Sequence, residues 1–107
     1  MKARTLTFYV EPELVPAVLE ALDEEILPKY RKIPGFLALV LLHADHSRRE
    51  IVGISVWDGS LAESNRVMAG FRQQLSSIGG TAPTTETYDV LRFVMSSQAE
   101  EVSAPKS

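Results

Sequence analysis

From Thr5 to Val10 the chain alternates, with Leu6, Phe8 and Val10 on one face and Thr5, Thr7 and Tyr9 on the other, which predicts a half-buried strand. The period then changes. Val15, Val18, Leu22, Ile26, Tyr30 and Ile33 recur at spacings of three and four, so the segment from Pro12 to Ile33 reads as an amphipathic helix with Glu20, Asp23, Glu24, Arg31 and Lys32 on its wet side. Pro28 lacks an amide proton and clashes with the carbonyl four residues back, so a kink or an end is expected there, with Lys29 to Ile33 as a separate short turn. After the breaker pair Pro34-Gly35, the run Phe36 to Ala44 is apolar at both parities: Phe36, Ala38, Val40 and Leu42 on one side, Leu37, Leu39 and Leu41 on the other. A strand of that kind has to be covered on both faces. Asp45 to Arg49 is a polar turn, and Glu50 to Trp57 is a strand that pairs with the preceding one as an antiparallel hairpin.

Ser60 and Glu63 have the spacing of a capping box and predict a helix from Leu61, with Val67, Met68, Phe71, Leu75 and Ile78 as its apolar stripe and Ser64, Arg66, Gln73 and Gln74 facing water. Gly79 stands where a left-handed terminating glycine belongs. Glu86 to Ser96 alternates again and predicts the last strand, Leu91, Phe93 and Met95 opposing Tyr88, Val90, Arg92 and Val94. The order strand, helix, strand, strand, helix, strand is the α+β, ferredoxin-like βαββαβ arrangement: a four-stranded antiparallel sheet with both helices on one face. Residues 1–97 form this domain, and 98–107 read as a flexible tail with too little apolar surface to order itself. The second sheet face is left bare although its central strands are apolar on both sides. A self-complementary homodimer through that face is the expected remedy.

Composition narrows the function classes. The chain of 107 residues, 45% of them hydrophobic, suits a single modest core. A net charge of -3 offers no basic field for nucleic acid. The absence of cysteine removes disulfides, thiolate metal ligands and a thiol nucleophile. The longest apolar run is far short of a bilayer span, and the basic start meets acidic residues too soon for a signal peptide, so a cytoplasmic protein with no membrane partner is expected. Neither a metal nor a cofactor motif is present.

The run PGFLAL after a helix ending in KYRKI, followed by EIVGISVWDG leading into a capped helix, resembles the dimeric α/β-barrel superfamily that includes antibiotic biosynthesis monooxygenase-like proteins. The likeness spans roughly Thr5 to Ser96 and concentrates in Pro34-Gly35-Phe36 and Trp57-Asp58. It implies two sheets packed face to face across a two-fold axis, with a pocket between each sheet and its own helices. Activities in such a family include cofactor-independent oxygenation of electron-rich aromatics and haem degradation, and fold does not choose among them. The haem-degrading members carry an asparagine in the first strand, and a tryptophan and a ligand histidine in the second helix; this chain has none of these at those places.

The candidate site residues each carry two readings. Trp57 either walls a ligand pocket or packs as core. His43, which shares parity with Leu37, Leu39 and Leu41, suits a catalytic proton acceptor; His43 and His46 together are too sparse for a metal site, and ordinary surface histidines are the simpler account. Tyr88 and Arg92 share a face of the last strand, with Tyr9 on its neighbour, and could orient a phenolate and stabilise its charge, or form a dimer contact. Two functions stand open: a cofactor-independent monooxygenase-like enzyme for a small aromatic substrate, and a non-catalytic ligand-binding or assembly domain.

Overall fold

The computed structural model describes residues 1–96. Four strands, β1 (Lys2–Tyr9), β2 (Phe36–His43), β3 (Glu50–Trp57) and β4 (Thr84–Asp89), form one antiparallel sheet in the order β2-β3-β1-β4. On one face lie a 3₁₀ turn (Pro12–Leu14), helix α1 (Val15–Ala21), a π-helical turn (Leu22–Ile26), helix α2 (Leu27–Arg31) and helix α3 (Ala62–Ile78). This is the ferredoxin-like arrangement the pattern predicts. The core lies between: Leu6, Phe8 and Val10 from the first strand segment meet Val18, Ile26 and Tyr30 below and Met68, Phe71 and Leu75 alongside. Phe8 and Phe71 touch edge to face at 5.8 Å between centroids, a favoured geometry for rings.

The first helical segment does not end at Pro28. Just ahead of the proline, over Leu22–Ile26, it widens into the π turn, where the Leu27 N–H donates to the Leu22 carbonyl. A π turn takes up one extra residue and shifts the carbonyls ahead of the proline, so the missing amide and the ring are absorbed and α2 continues to Arg31.

Strand β2 corrects the expected parity. A bulge at Leu37, between the pairs Phe36↔Trp57 and Ala38↔Val56, inserts one residue and flips the alternation. Phe36 therefore shares the helix-facing side with Leu39, Leu41 and His43, while Ala38, Val40 and Leu42 face away beside Val56, Ile54 and Val52. The bare apolar face exists as expected, and Val40 and Leu42 are 48% and 44% exposed.

The second helix begins at Ala62, whose N–H donates to the Ser60 hydroxyl at 3.1 Å, while Glu63 pairs with Arg66 at 3.6 Å instead of closing the capping box. Gly79, with φ 106°, ends it as expected. Ser64, expected in water, is fully buried. The last strand runs Thr84–Asp89, not to Ser96; Leu91, Val94 and Met95 beyond it are exposed. Alternation alone does not make a strand where β1, the only neighbouring strand among the described residues, has already reached its N-terminal end opposite Asp89. The tail expected at 98–107 lies outside the described residues. Among those described, no helix is long and apolar enough to cross a membrane.

Candidate functional site

A cavity opens between the sheet and its helices. Strand β1 contributes Arg4 and Leu6, β2 contributes Leu39 and Leu41, and β3 contributes Gly53 and Ser55. From the helical side come Leu22 and Ile26 of the π turn, Tyr30 of α2, and Met68 and Phe71 of α3. Its free volume is about 30 Å³, room for about two waters, and its walls are almost wholly apolar.

Three polar groups break that lining, each placed by strand or helix register. Arg4 shares parity with Leu6 and Phe8, so β1 points a guanidinium inward. Its Nη1 donates to Ser64 Oγ at 3.2 Å and to Asn65 Oδ1. Ser64 Oγ spends its own proton on the Leu61 carbonyl at 2.8 Å, which leaves its lone pairs for Arg4. Ser55 lies between Gly53 and Trp57 on the inward side of β3, and its Oγ accepts from the Trp57 indole N–H at 2.8 Å. Tyr30 packs edge-on against Trp57 at 4.9 Å.

Burial pushes the Tyr30 hydroxyl up to about 12, with the positive charge of Arg4 pulling the other way. Tyr30 is therefore a neutral phenol at physiological pH, a hydrogen-bonding group and not a base. The sign of the stability effect follows. Folded Tyr30 holds its proton more tightly than the unfolded chain does, so this contribution is intact below pH 10 and is lost as pH rises through 12. The loss should amount to about 2–3 kcal/mol. Urea denaturation of the wild type and Tyr30→Phe at pH 8 and above pH 11 measures it: the variant should lose less stability than the wild type, and parallel losses contradict the burial argument.

The residues singled out from sequence do not converge here. His43 is exposed at the end of β2, with Nε2 against the Arg48 carbonyl, and lines a separate hollow with Val15, Leu19 and Ile51. Tyr9 is on the outer face, where its hydroxyl donates to Glu50 Oε1 at 2.8 Å, and the carboxylate raises its pKa. Tyr88 stands beside Ala3, six residues from Tyr9 along β1, or about 20 Å. Arg92 lies beyond the end of β4, so it shares no strand face with Tyr88. Trp57 is fully buried, touching the cavity through Ser55 and Tyr30 and packing on Phe36 at 5.2 Å. The pattern does hold a signal for these groups: Arg4 stands in phase with an otherwise apolar strand face, and Ser55 and Ser64 lie four residues from Ile51 and Met68. A wider groove of about 650 Å³ between α1, the π turn and α3 is lined by Glu20, Glu24, Lys29, Gln73 and Gln74, and is open to solvent. Among the described residues no group of three acidic or histidine side chains is placed to hold a metal.

Solved structures share this architecture. A monooxygenase from the gene ActVA-Orf6 of Streptomyces coelicolor, determined with nanaomycin D, superposes with a TM-score of 0.69 at 20% identity, covering 90% of this chain and 92% of that one. The fold is that of the antibiotic biosynthesis monooxygenases. SnoaB, a cofactor-independent oxygenase from Streptomyces nogalater, has the same fold, with a TM-score of 0.61 at 18% identity over 87% of this chain and 95% of its own. So does NE2512 of Nitrosomonas europaea, a protein of unknown function, with a TM-score of 0.67 at 13% identity over 90% and 94%. At such identities these monooxygenase-like structures share a backbone plan, and side-chain chemistry has to be argued from this chain's own cavity. No family model matches the sequence, and no curated protein matches it.

Proposed function

We propose that the protein is a cofactor-independent monooxygenase-like enzyme for a small electron-rich aromatic, working as a homodimer. The observation that carries this reading is the apolar cavity between sheet and helices into which a few polar groups, Arg4, Tyr30 and Ser55, converge. ActVA-Orf6 and SnoaB are described as a monooxygenase and a cofactor-independent oxygenase, and their shared fold supports the same class of chemistry. A phenol can reduce dioxygen without a cofactor. The ring loses its hydroxyl proton and a ring hydrogen, gains one oxygen atom as a quinone carbonyl, and the second oxygen leaves as water. The enzyme's task is to favour the phenolate and to hold it away from bulk water, which an apolar box with a fixed cation achieves. The bare face of Val40, Leu42, Val52, Ile54 and Val56 supports pairing with a second copy, and light scattering at micromolar concentration should return the mass of two chains.

The test is dioxygen uptake with dihydroxynaphthalene, one oxygen consumed per hydroxynaphthoquinone formed, with isotopically labelled dioxygen placing one atom in the product. Uptake no faster than the enzyme-free rate across a series of phenols removes the enzymatic reading. What then remains is a non-catalytic ligand-binding or assembly domain, which the complete burial of Trp57 and the small free volume favour.

A further inference from the structure

Arg4 is a permanent cation on the wall of an otherwise apolar cavity, and its hydrogen-bond partners are neutral oxygens. Ion pairs among the described residues join Lys2 with Asp89, His46 with Glu50, Arg49 with Glu11 and Arg66 with Glu63. None of them includes Arg4. Ser64 and Asn65 satisfy Nη1 and hold the guanidinium plane in place, but they supply no negative charge. A guanidinium cannot shed its proton to relieve the imbalance. An uncompensated cation beside apolar walls has its strongest interaction with an anionic oxygen, because the low polarity around it strengthens charge-assisted hydrogen bonds and the planar fork can meet two acceptors at once.

We propose that Arg4 is the specificity-determining residue of the cavity and that it selects aromatic ligands bearing an anionic oxygen, a carboxylate or a phenolate, over neutral rings of the same shape. This rests on the reading that the sheet–helix cavity is the ligand site. The present free volume of about 30 Å³ seats the ligand's oxygens and not its ring. Ring entry requires two wall residues to give way. Met68 is unbranched and adaptable, and Leu22 opens the π turn, a segment of helix already out of the regular ladder. Both stand on the wall opposite Arg4's strand, so the ring enters between helix and sheet while the anion remains on Arg4. Ser64 and Asn65 act as positioning residues.

Binding of non-oxidisable probes separates this proposal from turnover. Calorimetry on the full chain compares benzoate with benzamide, which differ in charge far more than in shape, and the fluorescence of Trp57, the single tryptophan, reports the same events because its indole bonds to Ser55 at the cavity edge. Benzoate should bind at least tenfold more tightly than benzamide, and Arg4→Met should erase that preference. Arg4→Lys, which retains the charge without the fork, should keep part of it. Para-nitrophenol titrated across its own ionisation distinguishes the phenolate from the carboxylate: tighter binding of the ionised form places a phenolate on Arg4. Equal affinity of the wild type for benzoate and benzamide, no binding of either, or a preference that survives Arg4→Met overturns the proposal, and the wild-type comparison decides even if the variant does not fold. Benzoate selectivity lost in Arg4→Met, in a protein that oxidises no phenol, upholds the anion subsite while removing the enzymatic reading.

Discussion

Gly35→Ala should cost about 3 kcal/mol or more of stability, read as a shift of the urea midpoint at unchanged slope. Gly35 has φ 93°, a conformation that alanine adopts only with strain. The larger problem is space. A Cβ on Gly35 would lie 2.0 Å from the Asp58 carbonyl oxygen, which is backbone and cannot swing away as a side chain tip could. The two strand ends are also tied there, the Asp58 N–H donating to the Gly35 carbonyl at 2.7 Å. Relief requires parting β2 from β3 at the end where Phe36 pairs with Trp57. A loss below about 1 kcal/mol would show that this junction yields more easily than its geometry implies.

Trp57→Ala should be comparably severe, about 3–5 kcal/mol, since a buried tryptophan leaves a hole its neighbours fill only in part. Its indole is the hub of a three-ring cluster, 4.9 Å from Tyr30 and 5.2 Å from Phe36, with those two 5.6 Å apart. Removing it strips ring contacts from both neighbours and leaves the Ser55 hydroxyl without its donor. Trp57→Phe keeps most of the packing and loses the hydrogen bond, so it should fall well short of the alanine variant. Equal losses for the two would assign the effect to the Ser55 contact and not to the rings. Against a total stability on the order of 5–15 kcal/mol, either Gly35→Ala or Trp57→Ala leaves little margin.

These two changes strike one device. Pro34-Gly35-Phe36 and Trp57-Asp58, the motifs that give the sequence its likeness to the dimeric α/β barrels, are the two ends of β2 and β3 clasped together: a glycine because any side chain there would run into the Asp58 carbonyl, and an aromatic on each strand because both rings pack with Tyr30 of α2. They are recognisable for a structural reason. The candidate chemistry sits one step inward, in Ser55 and Tyr30, which touch Trp57, and in Arg4 opposite Ser55 across the strand pair.

Element type and order were legible because β1, β3 and α3 bury one face each, and a one-sided element writes its period into the sequence: Leu6-Phe8, Ile51-Trp57, Met68-Phe71-Leu75. The excess of apolar residues in β2 likewise announced a second apolar face, which the fold leaves bare. Where both faces are apolar, however, the pattern holds no phase, so the bulge at Leu37 that sets which residues of β2 line the cavity was invisible in it. The passage of the helix through Pro28 was equally hidden, since a π turn depends on what the widened backbone packs against and not on residue type alone. The site followed the same division. Alternation along strands groups Tyr9, Tyr88 and Arg92, but register places the tyrosines far apart and β4 ends before Arg92. Arg4, Ser64 and Asn65 are sixty residues apart in the chain and meet because β1 lies across α3. Local periodicity thus determined the parts and their order. Which polar groups face one cavity was decided by strand register and helix packing, which are properties of the folded chain as a whole.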